Sequence, residues 1–207
     1  MNFKEKNKYS YLMNQWNEPK RQKLNNLLIK SAGLTKSEAI DNADSACYFI
    51  SNLEMYMFND INLVSDIEIS KFLFDGKYFV AKEGCYQRKS AKICLENLQD
   101  AGLVKTDYAL LDIDKDYTGW NRKKVYDKML ERLHDNPDVN LRVCFCSDAK
   151  YIDTPDEDKH DHALIVTCDN DGNYVVCDTS VRPHEYPGNM MNKYINADNI
   201  RWFTQLY

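Results

Sequence analysis

Apolar residues recur at helical spacing through the first two thirds of the chain and alternate with polar ones near its end. Residues 1–20 are polar, show no such pattern and are expected to be loosely held. Leu24, Leu27 and Leu28 predict helix over 21–31. Thr35 followed by Glu38 is a capping box, which starts a helix by satisfying orphan backbone N–H groups. Ala46, Phe49, Ile50, Leu53 and Met57 fall on one face of a stronger helix. Residues 63–82 are mixed, and Lys77-Tyr78-Phe79-Val80-Ala81 leads into Glu83-Gly84-Cys85. Ala91, Cys94, Leu95 and Leu98 form one stripe of a helix over 86–101, stopped near Gly102. Residues 103–113 read as a strand. Val125, Met129 and Leu133 mark a helix over 121–134, closed by Asn136-Pro137.

In the last third the period changes. Leu141, Val143 and Phe145 alternate with Arg142 and Cys144, which predicts a strand. The run from His162 to Cys168 is a second strand and Tyr174 to Cys177 a third. Between them Asp169-Asn170-Asp171-Gly172-Asn173 has the residues of a hairpin turn. Ile200 to Thr204 is the last strand. Helices followed by an antiparallel sheet imply an α+β fold. The expected organisation is an N-terminal helical extension, 1–75, packed on a core of 76–207 as one compact unit.

Composition narrows the function classes. Hydrophobic residues make up 43% and aromatic ones 12%, which is a globular balance. The net charge of −5 leaves no surplus of Lys and Arg for nucleic acid, and the basic stretch from Lys4 to Arg21 reads as an exposed tail. No run approaches the ~20 apolar residues of a membrane span. The opening residues carry charge without an apolar segment, so no secretory signal peptide is expected. Seven Cys, an odd number at irregular spacing, imply free thiols in a reducing place of action. Neither a cofactor nor a metal is expected. Cys144, Cys146, Cys168, Cys177, His160 and His162 lie near one another in sequence, yet Cys-x-Cys on a strand is poor zinc spacing. Asp112, Asp114 and Asp116 suggest a calcium loop, but Tyr117 and Lys123 stand where glycine and glutamate are needed.

Three segments carry chemistry together: Gly84-Cys85-Tyr86-Gln87-Arg88, His160-Asp161-His162-Ala163 and Val176-Cys177-Asp178-Thr179. A thiol enzyme needs a thiolate, and the first turn of a helix lowers a thiol's pKa through its dipole and unpaired N–H groups. Cys85 sits at such a junction, and Gly84 before it leaves room for a substrate. The N–H groups of Cys85 and Tyr86 are candidates for cradling an oxyanion. His162 opens a strand after a polar loop, which suits a base with a rigid support and an exposed tip. Asp178 ends the strand that pairs with it through the 169–173 hairpin, so the two are expected as neighbours at one edge of the sheet. Taken singly, each has a plainer reading: a buried thiol, a half-exposed histidine and a turn aspartate.

The segment Gly84-Cys85-Tyr86-Gln87-Arg88 resembles the Gly-Cys-Tyr-x-Arg segment of bacterial protein-glutaminases, papain- and transglutaminase-like enzymes that deamidate glutamine in intact proteins. Their His also precedes a short apolar strand, and their Asp also follows a hairpin-paired strand. The likeness covers these three segments only. It implies a papain-like fold and a catalytic triad of Cys85, His162 and Asp178. It also implies a thioester mechanism on a protein partner presenting an exposed glutamine. Arg88, one helical turn from Cys85, would steady the site, or be an ordinary solvated residue. Tyr86 and Trp120 would line a substrate groove, with plain packing the stronger reading of Trp120. Size and free thiols place the chain nearer to bacterial effectors, toxins that serve virulence by deamidating host proteins after secretion into the host cytosol, with a secretion chaperone as a further partner. The alternatives are a papain-like cysteine protease, a transglutaminase and a non-catalytic binding module.

Overall fold

The computed structural model describes residues 26, 29–30, 33–44, 47–59, 92, 95–96, 99–100, 108–114, 119–146, 161–177 and 190–207. Among these the elements in chain order are α1 (Lys36–Asp44), α2 (Cys47–Phe58), β1 (Leu110–Asp114), α3 (Arg122–Asp135), β2 (Leu141–Cys146), β3 (Asp161–Cys168), β4 (Tyr174–Cys177), a 3-10 turn (Met191–Lys193) and β5 (Ile200–Leu206). The strands form a five-stranded sheet in the order β1-β5-β2-β3-β4. Every pairing is antiparallel. Helices beside an antiparallel sheet make this an α+β arrangement.

Local chemistry sets the helix starts. Thr35 Oγ1 accepts from the Glu38 N–H at 3.3 Å, and Glu38 Oε2 accepts from the Thr35 N–H at 2.9 Å, the reciprocal pair expected of a capping box. Asn121 caps α3 by accepting from the Lys124 N–H at 2.9 Å. Asn136 ends that helix, its N–H donating to the Arg132 carbonyl. Val125, Met129 and Leu133 are the buried residues of α3. They meet Leu141, Val143, Phe145, Leu164, Val166, Val176, Ile200 and Phe203 in one core. Full burial of a large apolar side chain contributes about 1.5–3 kcal/mol.

The second face of the sheet is also covered, by α2. Alternation sends Leu141, Val143 and Phe145 toward α3, and Arg142, Cys144 and Cys146 to the other side. All six residues of β2 are buried, because it is the central strand and lies under a helix on each face. Arg142 is fully buried; its Nε donates to Ser51 Oγ of α2 at 3.1 Å. The side chains of Phe49, Ile50, Leu53 and Met57, and the whole of Ala46, lie outside the described residues. The side chains that α2 does bury include Ser51, Asn52 and Glu54 beside Met55, Tyr56 and Phe58. The strand expected over 103–113 is described from Leu110 onward, where it pairs with β5.

The hairpin between β3 and β4 forms at the expected residues. Gly172 takes a φ of 81°, the left-handed region where a glycine costs least. Asp169 Oδ1 accepts from the N–H groups of Asp171 at 2.9 Å and Asn173 at 2.8 Å. Burial pushes the Asp169 carboxyl up, but hydrogen bonds from the Asn173 side chain and from the backbone of Asn173, Asp171 and Gly172 outweigh it. The carboxyl is therefore held below its ordinary value. A depressed folded-state pKa contributes stability that is present above the unfolded value and lost as pH falls through the folded one. Acid titration of the Asp169→Asn variant, followed by urea melts, should show a shallower loss of stability below the usual carboxylate range than the parent. Superimposable pH profiles would show that the turn draws nothing from this charge.

Candidate functional site

His162 is the second residue of β3 and is half-buried. It follows the alternation of Leu164 and Val166, which places it on the face of the sheet covered by α3. Across the ladder it is paired with Phe145 of β2. The two rings meet edge to face, with centroids 5.7 Å apart and planes at 80°, within the favourable range for aromatic pairs. Phe145 is itself buried in the core. The imidazole therefore has a packed aromatic wall on its cross-strand side.

Two further features fix this end of the sheet. The register between β2 and β5 slips between Cys144, opposite Trp202, and Phe145, opposite Ile200. Arg201 is the extra residue of that bulge. Its Nε forms an ion pair with Oδ1 of Asp161, the residue before His162. Neither atom touches solvent. Beside it, the Cys146 N–H donates to the Asn199 carbonyl at 2.9 Å, and Asn199 Nδ2 donates to the Cys146 carbonyl at 3.4 Å. The ends of β2, β3 and β5 are thus tied together at His162.

On the hairpin side, pairing runs from Cys168↔Tyr174 to Ile165↔Cys177. Cys177 immediately precedes Asp178. Asp178 lies outside the described residues, as do Gly84, Cys85, Tyr86 and Arg88. Of the residues expected in the triad, the oxyanion hole and the substrate groove, the structure describes His162 and Trp120. Trp120 is partly buried against the core, with Lys124 Nζ 4.2 Å above its ring. Phe145, Asp161 and Arg201 carry no sequence signal that marks them as a setting for His162. Phe145 reads as an ordinary core position, and no glycine announces the bulge at Arg201.

The five described cysteines, Cys47, Cys144, Cys146, Cys168 and Cys177, are buried and take part in no disulfide. Buried as they are, none of the five presents its sulfur to a protein substrate. Among the described residues, no group of three or more His, Cys, Asp or Glu is placed to hold a metal ion, and no helix is long and apolar enough to cross a membrane. Compared with protein-family models, curated proteins and solved structures, the chain matches none of them.

Proposed function

We propose that the protein is a cysteine-dependent amidohydrolase that deamidates glutamine side chains of intact proteins on a papain-like framework. The observation that carries this reading is the setting of His162. It is a half-buried imidazole near the start of a strand, on a firm mount. The paired strand's last described residue directly precedes Asp178. The five buried thiols support it from another side. They leave Cys85 and Cys94 as candidate nucleophiles, and the sequence pattern puts Cys94 on the apolar stripe expected over 86–101.

In this mechanism the Cys85 thiolate attacks the carboxamide carbon of a glutamine. The tetrahedral adduct collapses as the His162 imidazolium gives its proton to the departing ammonia, leaving a thioester. His162 then takes a proton from water, which attacks the thioester and releases glutamate and the thiol. Asp178 keeps the imidazole in the productive tautomer. Gly84, Tyr86 and Arg88 serve the oxyanion and the substrate groove. The partner is a protein that presents an exposed glutamine, in keeping with a bacterial effector acting in a host cytosol.

Incubation with a glutamine-rich unfolded protein, such as casein, separates this reading from its rivals. Deamidation releases ammonia and leaves the chain unbroken with a small gain in mass. Fragments would make the enzyme a protease, and glutamine–amine cross-links a transglutaminase. Unchanged casein, together with a Cys85 alkylation rate no faster than that of the other thiols, would leave a binding module.

A further inference from the structure

The surroundings of His162 hold two contacts that the triad reading does not use. One is the ring of Phe145, its cross-strand partner, at 5.7 Å. The other is the half-buried ion pair between Asp161 and Arg201. The two lie on opposite sides of the sheet. Phe145 belongs to the core under α3. Asp161, one residue from His162, alternates to the face where Arg142 meets α2.

Physical chemistry gives both a purpose. His162 is one residue from the described start of β3, and strand ends open more readily than strand centres. A base that moves a proton must hold its place within about 0.5 Å and 10–20°. A residue so near a strand end does not meet that requirement through backbone pairing alone. The ion pair reaches from β5 across β2 to the first residue of β3, and so pins the backbone on which the imidazole stands. The bulge, which gives β5 its extra residue opposite Cys144 and Phe145, is what supplies Arg201 there. Phe145 then limits the rotation of the ring itself, since an edge-to-face contact favours one ring plane.

We propose that Phe145 and the Asp161–Arg201 pair are positioning residues for His162: the ion pair fixes the strand end and the phenyl ring fixes the plane of the imidazole. This rests on His162 being the proton-transfer group of the reaction proposed above. The two contacts divide the work, so their loss has different signatures. Without the ion pair the strand end opens. Without the phenyl ring the strand end stays closed and the imidazole turns.

The test uses the full chain with Phe145→Leu, Arg201→Gln, Arg201→Lys and His162→Ala variants. Leucine keeps the apolar contact without the ring, and lysine keeps the charge without the fork. Three readouts are taken: imidazole proton shifts of His162 by NMR, hydrogen exchange of the amides at 161–163, and ammonia release from casein. The parent should show His162 ring protons displaced by the aromatic current of Phe145, and Phe145→Leu should remove that displacement with exchange unchanged. Arg201→Gln should speed exchange at 161–163 by at least tenfold, and Arg201→Lys should restore much of the protection. Both Phe145→Leu and Arg201→Gln should lower kcat about tenfold with KM held, a split that general loss of stability would not give.

A parent spectrum without the ring-current displacement overturns the proposal, as does unchanged exchange in Arg201→Gln. Full kcat in both variants beside an inactive His162→Ala overturns the positioning role while leaving the reaction intact. A fully active His162→Ala overturns the reaction itself, and with it the role assigned here.

Discussion

Replacing Cys85 by alanine is expected to end ammonia release from casein, with kcat falling by about four to six orders of magnitude. No other group in the proposed site forms the thioester, so nothing takes over its step. The His162→Ala variant should fall nearly as far, because without a base the thiol stays protonated and ammonia leaves unassisted. Groups that act as one unit are not additive, and the double variant should be little worse than either single one. Asp178→Asn should cost less than either, since it disturbs the orientation of the base without removing it. The rate should follow a bell in pH, whose limbs belong to the thiol–imidazole pair jointly and not to one residue each. Cys85→Ala with undiminished turnover would remove Cys85 as the nucleophile, and full turnover in Cys94→Ala as well would end the thiol mechanism.

What could be read from the sequence alone, and what could not, divides by distance along the chain. The capping box at Thr35 and Glu38, the α3 stripe of Val125, Met129 and Leu133, and the hairpin closed by Gly172 are each written within about a dozen residues, and each formed as expected. Their causes are local: an orphan N–H, one face of a helix, a backbone angle that glycine accepts. The strand start at His162 was legible for a similar reason, since an apolar run follows a polar stretch. Its setting was not. Phe145 becomes its neighbour only through the register of β2 on β3, and Arg201 reaches Asp161 only because β5 slips by a residue. The partners proposed for His162, Cys85 and Asp178, lie outside the described residues, so the triad as an assembled object rests on chemistry and sequence order.

Arg142 marks the limit of reading from alternation, and it carries the largest expected effect on stability. A charged residue between apolar ones in a strand ordinarily faces water. Here it is fully buried, because α2 returns to cover that face. Its guanidinium donates from Nε to Ser51 Oγ, a residue 91 positions earlier, and lies 4.9 Å from the centre of the Trp202 ring. It is paired in register with Thr204 on one side and Ile165 on the other. One side chain therefore joins α2 to the middle of the sheet. Arg142→Ala should destabilise the fold by about 2–5 kcal/mol. It opens a cavity in the central strand, removes the donor from Ser51 and strips one face of the Trp202 ring. Against a typical total of about 5–15 kcal/mol, that loss would leave little margin at 37 °C. Arg142→Met fills much of the volume with no buried charge to satisfy, and should cost less than alanine. Urea denaturation reads the difference as a lower midpoint at constant slope. An unfolding free energy for Arg142→Ala within about 0.5 kcal/mol of the parent, the scale of an ordinary surface substitution, would mean that α2 is held to the sheet by its apolar contacts alone.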